Sequence, residues 1–322
     1  MLLLLVPLAF AGYGDASDGL PSLDERQLMV WSNAARVDPE AFSADYSNAG
    51  CSFASDFTDT ERTPQNPLRW NADLNESARF HSDDMFKNNW FDHKSSDGTP
   101  FGARIGRFYE GPAGENIAQG YMSPYSVVFE GWMCSAGHRQ NLMRPDYDEL
   151  GTGIAGTYYT QNFGQGGIAP HQVGTGAHWM QGDNVIFRAD VFDPSGAVPD
   201  AVNVVWNGVP GAMTVDVGTD ARGVYRASRN LMQAEETDQV GCMEYYFQAD
   251  YGEKSVRFPE SGSYGWGDCF FADEDAQWID RQLEPEPEDK GGCNSVSSLP
   301  SPLWAGAFGL LILARRRSGR ES

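Results

Sequence analysis

A chain of 322 residues, 41% hydrophobic and 12% aromatic, can bury a core; this argues against wholesale disorder and suits about two domains. Its 23 basic and 45 acidic residues give a formal charge of −22, a surface that repels phosphate and speaks against nucleic acid as a partner.

The first element is MLLLLVPLAFAG, an apolar run closed by the small-x-small pattern Ala9-Phe10-Ala11. It reads as a signal peptide over residues 1–11, although no positive residue precedes the run. A Gly-, Ser- and Asp-rich leader follows. In DERQLMVWSNAARVDPEAF, Leu28, Trp31, Ala35 and Val37 recur at near-helical spacing. A second helix is expected in NADLNESARFHSDDMFKNN, with Leu74, Ala78, His81 and Met85 on one stripe and Asn71 or Asp73 as cap. GPAGENIAQG reads as a turn leading into a short helix. MSPYSVVFEGWMCSA reads as a third helix, with Ser123 as N-cap, Pro124 at its first position and Gly137 as its stop. His138 would then turn away from a helix end.

After Tyr147 the pattern changes. ELGTGIAGTYYTQNFG alternates like strands with turns, so residues 24–165 form a helix-plus-strand domain. Residues 166–182 read as a Gly-rich linker. Residues 183–272 hold short strands, among them VIFRADVFD, AVNVVWNG, GVYRASR and CMEYYFQADYG, separated by Gly, Pro and Asp turns. That rhythm fits a small all-β sandwich of the immunoglobulin-like kind. Its aromatics Trp206, Tyr245, Tyr246, Phe247, Tyr264 and Trp266 fill the core, with a sugar-binding loop at SYGWGDC as the alternative. Residues 273–298 are an acidic, Pro-rich spacer. Residues 299–322 are an apolar segment with a basic tail, shorter than a comfortable membrane span of about 20 residues. Arg315, Arg316 and Arg317 would keep its end on the cytoplasmic side.

An export signal licenses disulfides. Of the five cysteines, Cys51 and Cys134 are placed to pair in the first region and Cys242 and Cys269 in the second, leaving Cys293 for processing or modification.

Four polar residues of the first domain could carry chemistry: His93 in FDHKSSDG, Glu115 in GENIAQG, Glu130 on the third helix and His138 at its end. Two imidazoles and two carboxylates suit a divalent cation or acid–base work. No HExxH, CxxC or GxSxG pattern sharpens that reading. Each residue also has a structural explanation. Glu115 could lock a turn by accepting from backbone amides. His138 could bond a neighbouring loop and hold Arg139 toward Asp146 or Glu149. His81 reads as a packing residue. Ser135 lies three residues before His138, but nothing supplies the orienting acid of a nucleophile–base pair.

The motifs NAARVDPEAF, PLRWNADLNESARFHSDDM, FDHKSSDGT, GENIAQG, WMCSAGHRQNLM and ELGTGIA with YYTQNFG occur in this order. Together they resemble the CAP superfamily (cysteine-rich secretory, antigen and pathogenesis-related proteins) in its bacterial form. The resemblance implies an α+β fold, an α-β-α sandwich in residues 24–165. It also implies a cleft of two His and two Glu that in some members binds zinc or another divalent cation. Residue by residue, His93 and Glu115 match this set and Glu130 approaches it, while Tyr158 stands where the second His would precede Thr160-Gln161. His138 belongs to the bacterial GHR motif. The cleft is therefore expected from His93, Glu115, Glu130 and His138, with Asn116, Arg139, Tyr158 and Gln161 around it, and a metal would fall to His93, Glu115 and His138. The Gly-Cys pair, spacer, apolar run and terminal arginines resemble the C-terminal sorting tags of myxobacterial exported proteins. They imply delivery to the cell surface by sorting machinery that acts at Cys293. The expected function is that of an exported cell-surface or extracellular protein binding a lipid, glycan, peptide or partner protein. The alternative is a metal-dependent or acid–base hydrolase.

Overall fold

Helix α1 (Leu23–Val37) starts where Ser22 closes a capping box with Glu25: Ser22 Oγ accepts from the Glu25 amide at 3.3 Å and Glu25 accepts from the Ser22 amide at 2.8 Å. The computed structural model describes residues 21–167, 172–230 and 242–267. The signal peptide, spacer and tail expected above, with Cys269 and Cys293, lie outside the described residues; so does the expected Cys242–Cys269 pairing.

Short helices α2 (Ser43–Asn48), α3 (Phe53–Asp56) and α4 (Asp59–Arg62) follow α1, then strand β1 (Arg69–Trp70). Helix α5 (Ala72–Asn88) is capped by Asn71, which accepts from the Leu74 amide at 3.0 Å, and stops at Asn89 in the left-handed region. Its buried stripe includes Leu74, Ala78, His81 and Met85, as the spacing requires. Next come α6 (Phe101–Ile105), β2 (Ala113–Gln119) and α7 (Pro124–Ser126), which opens into a π-helical turn over Val127–Trp132. Helix α8 (Ala136–Leu142) and strands β3 (Glu149–Ala155) and β4 (Tyr158–Gly164) complete this half.

Two expectations fail here. GENIAQG is strand β2, not a turn into a helix. Gly137 does not stop the third helix. The break comes earlier, at extended Ser135, and Gly137 and His138 lie inside α8. Ser123 and Pro124 do start the third helix as expected.

The first sheet has the order β1-β3-β4-β2, with β1 parallel to β3 and the other pairs antiparallel. Helix α5 lies on one face. A Cβ at Gly151 or Gly153 would come within 2.0 Å or 2.2 Å of the α5 backbone, so the glycines of ELGTGIA are what let the helix approach. Helix α1 covers the other face, where Gln161 donates to Ser32 Oγ at 2.6 Å and Thr152 donates to the Glu25 carbonyl at 3.1 Å. The result is three layers, helix–sheet–helix.

Residues 166–182, expected as a linker, contain strand β5 (Gln172–Gln181). It opens a second sheet of order β5-β6-β10-β9, with β6 (Asn184–Phe192), β9 (Thr214–Thr219) and β10 (Arg222–Asn230). A third sheet has the order β12-β11-β7-β8, with β7 (Ala201–Trp206), β8 (Val209–Ala212), β11 (Cys242–Tyr251) and β12 (Lys254–Phe258); β13 (Tyr264–Gly267) also pairs with β11. The sheets meet through Phe187, Tyr245 and Phe247, with Phe187 and Tyr245 ring centroids 5.1 Å apart. As period two predicts, Tyr245 and Phe247 point inward and Tyr246 is half-buried.

These sheets share one hydrophobic core with the first half, running from Leu28 and Val30 to Val191 and Phe247. Buried Arg26 of α1 lies 3.6 Å over the Tyr264 ring and donates to the Gly176 carbonyl and the Tyr245 hydroxyl, each at 3.0 Å. The linker expectation therefore fails physically, because β5 is packed under α1.

Candidate functional site

Strand β2 is an edge of the first sheet, and the candidate cleft lies across it. Glu115 of β2 is buried and sits on the α5 side. His93 reaches it from the segment after α5: His93 Nδ1 is 2.9 Å from Glu115 Oε1, and the imidazole is 48% exposed, so its outer edge meets solvent. Fully buried Arg104 of α6 binds Glu115 Oε2 and donates to the His93 carbonyl at 3.0 Å. Oriented so that its oxygen accepts from Ser77 Oγ and the Ala78 amide, Asn162 donates to Glu115 Oε2 at 3.2 Å. Beneath them, buried His81 contacts the Asp92 carbonyl at 3.0 Å and stands 4.0 Å from Glu115 Oε1.

His138 comes from the other side, on α8. Amide side chains hold its backbone. Asn116 donates to the His138 carbonyl at 3.0 Å and to Gln161 at 3.2 Å, and Asn141 donates to Asn116 at 3.0 Å. Asn141 also donates to the Glu115 carbonyl at 3.1 Å, and Trp132 donates to the Ile117 carbonyl at 3.2 Å. The outward carbonyls of β2 at these two residues are thus engaged. The Cys51–Cys134 disulfide, expected from the sequence, fixes the chain four residues before His138.

The electrostatics separate the two imidazoles. The hydrogen bond to Glu115 raises His93 above the ordinary imidazole pKa, with burial opposing. Burial lowers His138, and the nearby His93 lowers it further. Burial pushes His81 down to about 4, against the pull of Glu115.

His93, Glu115 and His138 therefore come together, with Asn116 and Gln161 forming their support. Glu130 does not join them. The π-helical turn directs Val127, Val128, Phe129 and Trp132 inward and leaves Glu130 exposed, where its charge acts on Tyr125. Arg139 is also elsewhere. Its acid is Glu61 at 3.1 Å, not Asp146 or Glu149, and it stacks 4.3 Å from the Phe57 ring. Tyr158 is buried on the α5 face at the far end of β4, 3.4 Å from Asn89 Oδ1. Sequence reasoning missed Arg104 and Asn162 and gave His81 only a packing role. No spacing marks them, since three elements far apart in the chain supply them.

The three residues expected to hold a metal do not fit one together. Both Glu115 oxygens are taken, one by a guanidinium. Among the described residues no group of three His, Cys, Asp or Glu side chains is disposed to hold an ion.

The amide-braced edge strand and its two imidazoles lie within residues 32–169, which match the family described as "CAP: Cysteine-rich secretory protein family". This segment is a CAP domain. Two Bacillus subtilis (strain 168) proteins are similar to the chain. One is the uncharacterized membrane protein YlbC, 44% identical over 101 residues, covering 30% of this chain and 28% of YlbC. The other is the uncharacterized protein YkwD, 41% identical over 115 residues, covering 34% of this chain and 44% of YkwD. The chain thus spans less than half the length of either curated relative. Among solved structures, an extracellular protein containing a SCP domain from Bacillus anthracis str. Ames is similar at 36% identity, with a TM-score of 0.29, over 31% of this chain and 34% of that one. An outer surface protein from Borrelia burgdorferi is 21% identical with a TM-score of 0.29, over 31% of this chain and 79% of that one. No helix among the described residues is long and apolar enough to cross a membrane.

Proposed function

We propose that this chain is an exported CAP-domain protein that binds a surface ligand (a lipid, glycan, peptide or partner protein) in the cleft over β2, with His93 and His138 as its contacts. One observation carries the reading: two imidazoles of different proton affinity flank one edge strand, one half-exposed and backed by a buried carboxylate. Such a pair offers a charged donor and a neutral donor–acceptor side by side. The Cys51–Cys134 disulfide supports an oxidising compartment. A metal at Glu115 forms no part of this reading. The two later sheets we read as an immunoglobulin-like sandwich that presents the cleft.

The test is a fragment screen by NMR on the full chain, using mono- and disaccharides, short peptides and lipid headgroups as probes. Saturable hits are expected to shift the His93 and His138 ring signals together and to weaken at least tenfold in His93→Ala. Hits that map away from both rings would sink the reading.

A further inference from the structure

Arg104 of α6 has no side-chain surface exposed, yet it faces the cleft. Its guanidinium holds Glu115 Oε2 with one nitrogen. With another it donates to the His93 carbonyl at 3.0 Å and approaches Ser95 Oγ at 3.4 Å. One side chain therefore grips both the carboxylate and the backbone of the imidazole that this carboxylate holds. We propose that Arg104 is a positioning residue: it commits Glu115 to orienting His93 and leaves His93 Nε2 as the atom the cleft offers.

The Glu115 carboxylate has both oxygens engaged. Its side chain is 1% exposed, so a molecule arriving from solvent has no path to it. Oε1 faces His93 Nδ1, and Oε2 takes Arg104 and, in the orientation its neighbours favour, Asn162. A carboxylate held by a buried guanidinium is ionised and can only accept. The proton between Glu115 and His93 then belongs to Nδ1. A neutral His93 must be the Nδ1–H tautomer, with its lone pair on Nε2 turned outward. This resembles the carboxylate–imidazole arrangement in which the acid fixes the tautomer without touching the ligand. A lysine at 104 could match the charge but not the two-point grip, because its donors converge on one atom. The expected ligand-contacting role of Glu115 gives way to this indirect one.

This inference deepens the proposed cleft reading and assumes that His93 faces the ligand, but its test needs no ligand. Long-range proton–nitrogen correlation spectra of the ¹⁵N-labelled full chain, above the His93 titration, report which ring nitrogen carries the proton. The expected result is Nδ1–H at His93; an Nε2–H signal there overturns the proposal. Arg104→Gln keeps a donor near Glu115 but removes the grip, and is expected to raise the Nε2–H population at least twofold; an unchanged pattern overturns the proposal. Should Arg104→Gln fail to fold, Arg104→Lys is judged by the same criterion, with a smaller shift expected, and the wild-type spectrum decides independently. If the fragment screen fails while the tautomer holds, only the ligand reading falls.

Discussion

His93 and His138 lie near enough for the charge of one to act on the other, yet their surroundings push them in opposite directions. Glu115 supports the charged form of His93, whereas burial and the neighbouring His93 oppose charge on His138. Ring-proton titrations should place His93 above the ordinary imidazole value and His138 below it; coincident curves would show that Glu115 and burial do not act on the two rings as described. The linkage signs differ accordingly. A raised His93 adds stability that is complete below its unfolded pKa and is lost as pH rises through the folded value, discounted because the ring is half-exposed. His81, lowered to about 4, works the other way, withdrawing stability as pH falls from about 6.5 toward that value. At this scale the sequence revealed the residues with a nameable chemistry, His93, Glu115 and His138. It did not reveal Arg104, because a buried guanidinium looks like any surface arginine until its carboxylate is known.

At the scale of elements, periodicity worked where the backbone was regular. The α5 stripe and cap were legible because a continuous helix presents every third or fourth residue to the same sheet. The segment from Ser123 to Leu142 was not. It passes from an α-turn to a π-turn, breaks at Ser135 and restarts, so a 3.6-residue period misplaces Glu130 and Gly137. GENIAQG lacks alternation because both faces of β2 are covered. The Cys51–Cys134 bond ties this irregular stretch to the end of α2 across 83 residues. Closing a loop of that size constrains the unfolded chain by about 4–5 kcal/mol in the entropic account. The double variant Cys51→Ser, Cys134→Ser should therefore lose several kcal/mol in urea unfolding, and its His138 ring signal should broaden or shift. A loss below about 1 kcal/mol would mean that packing alone holds α8.

For the molecule as a whole, the sequence indicated strands after residue 183 but not that they join the first half. The join depends on α1, which is buried on both sides and gives no amphipathic hint of a second partner. At that junction Asp190 of β6 is fully buried where β5 bulges between Val173 and Thr175, and burial pushes it up to about 7. Here the folded state holds the proton more tightly than the unfolded one. Stability should thus fall as pH rises from about 4 to about 7 and stay level above. Asp190→Asn should flatten that slope and gain up to about 4 kcal/mol at pH 8, an upper figure from about three pKa units. Parallel denaturation curves of the two proteins at pH 5 and pH 8 check this; an equal difference at both would place the carboxyl in water.

The hydrogen bonds from Asn141 and Trp132 to strand β2 also bear on how one copy meets another. A bare sheet margin invites a foreign strand to zip alongside it, the first step toward fibrils. With two of its acceptors already satisfied from within, this margin is a poor template for such zipping.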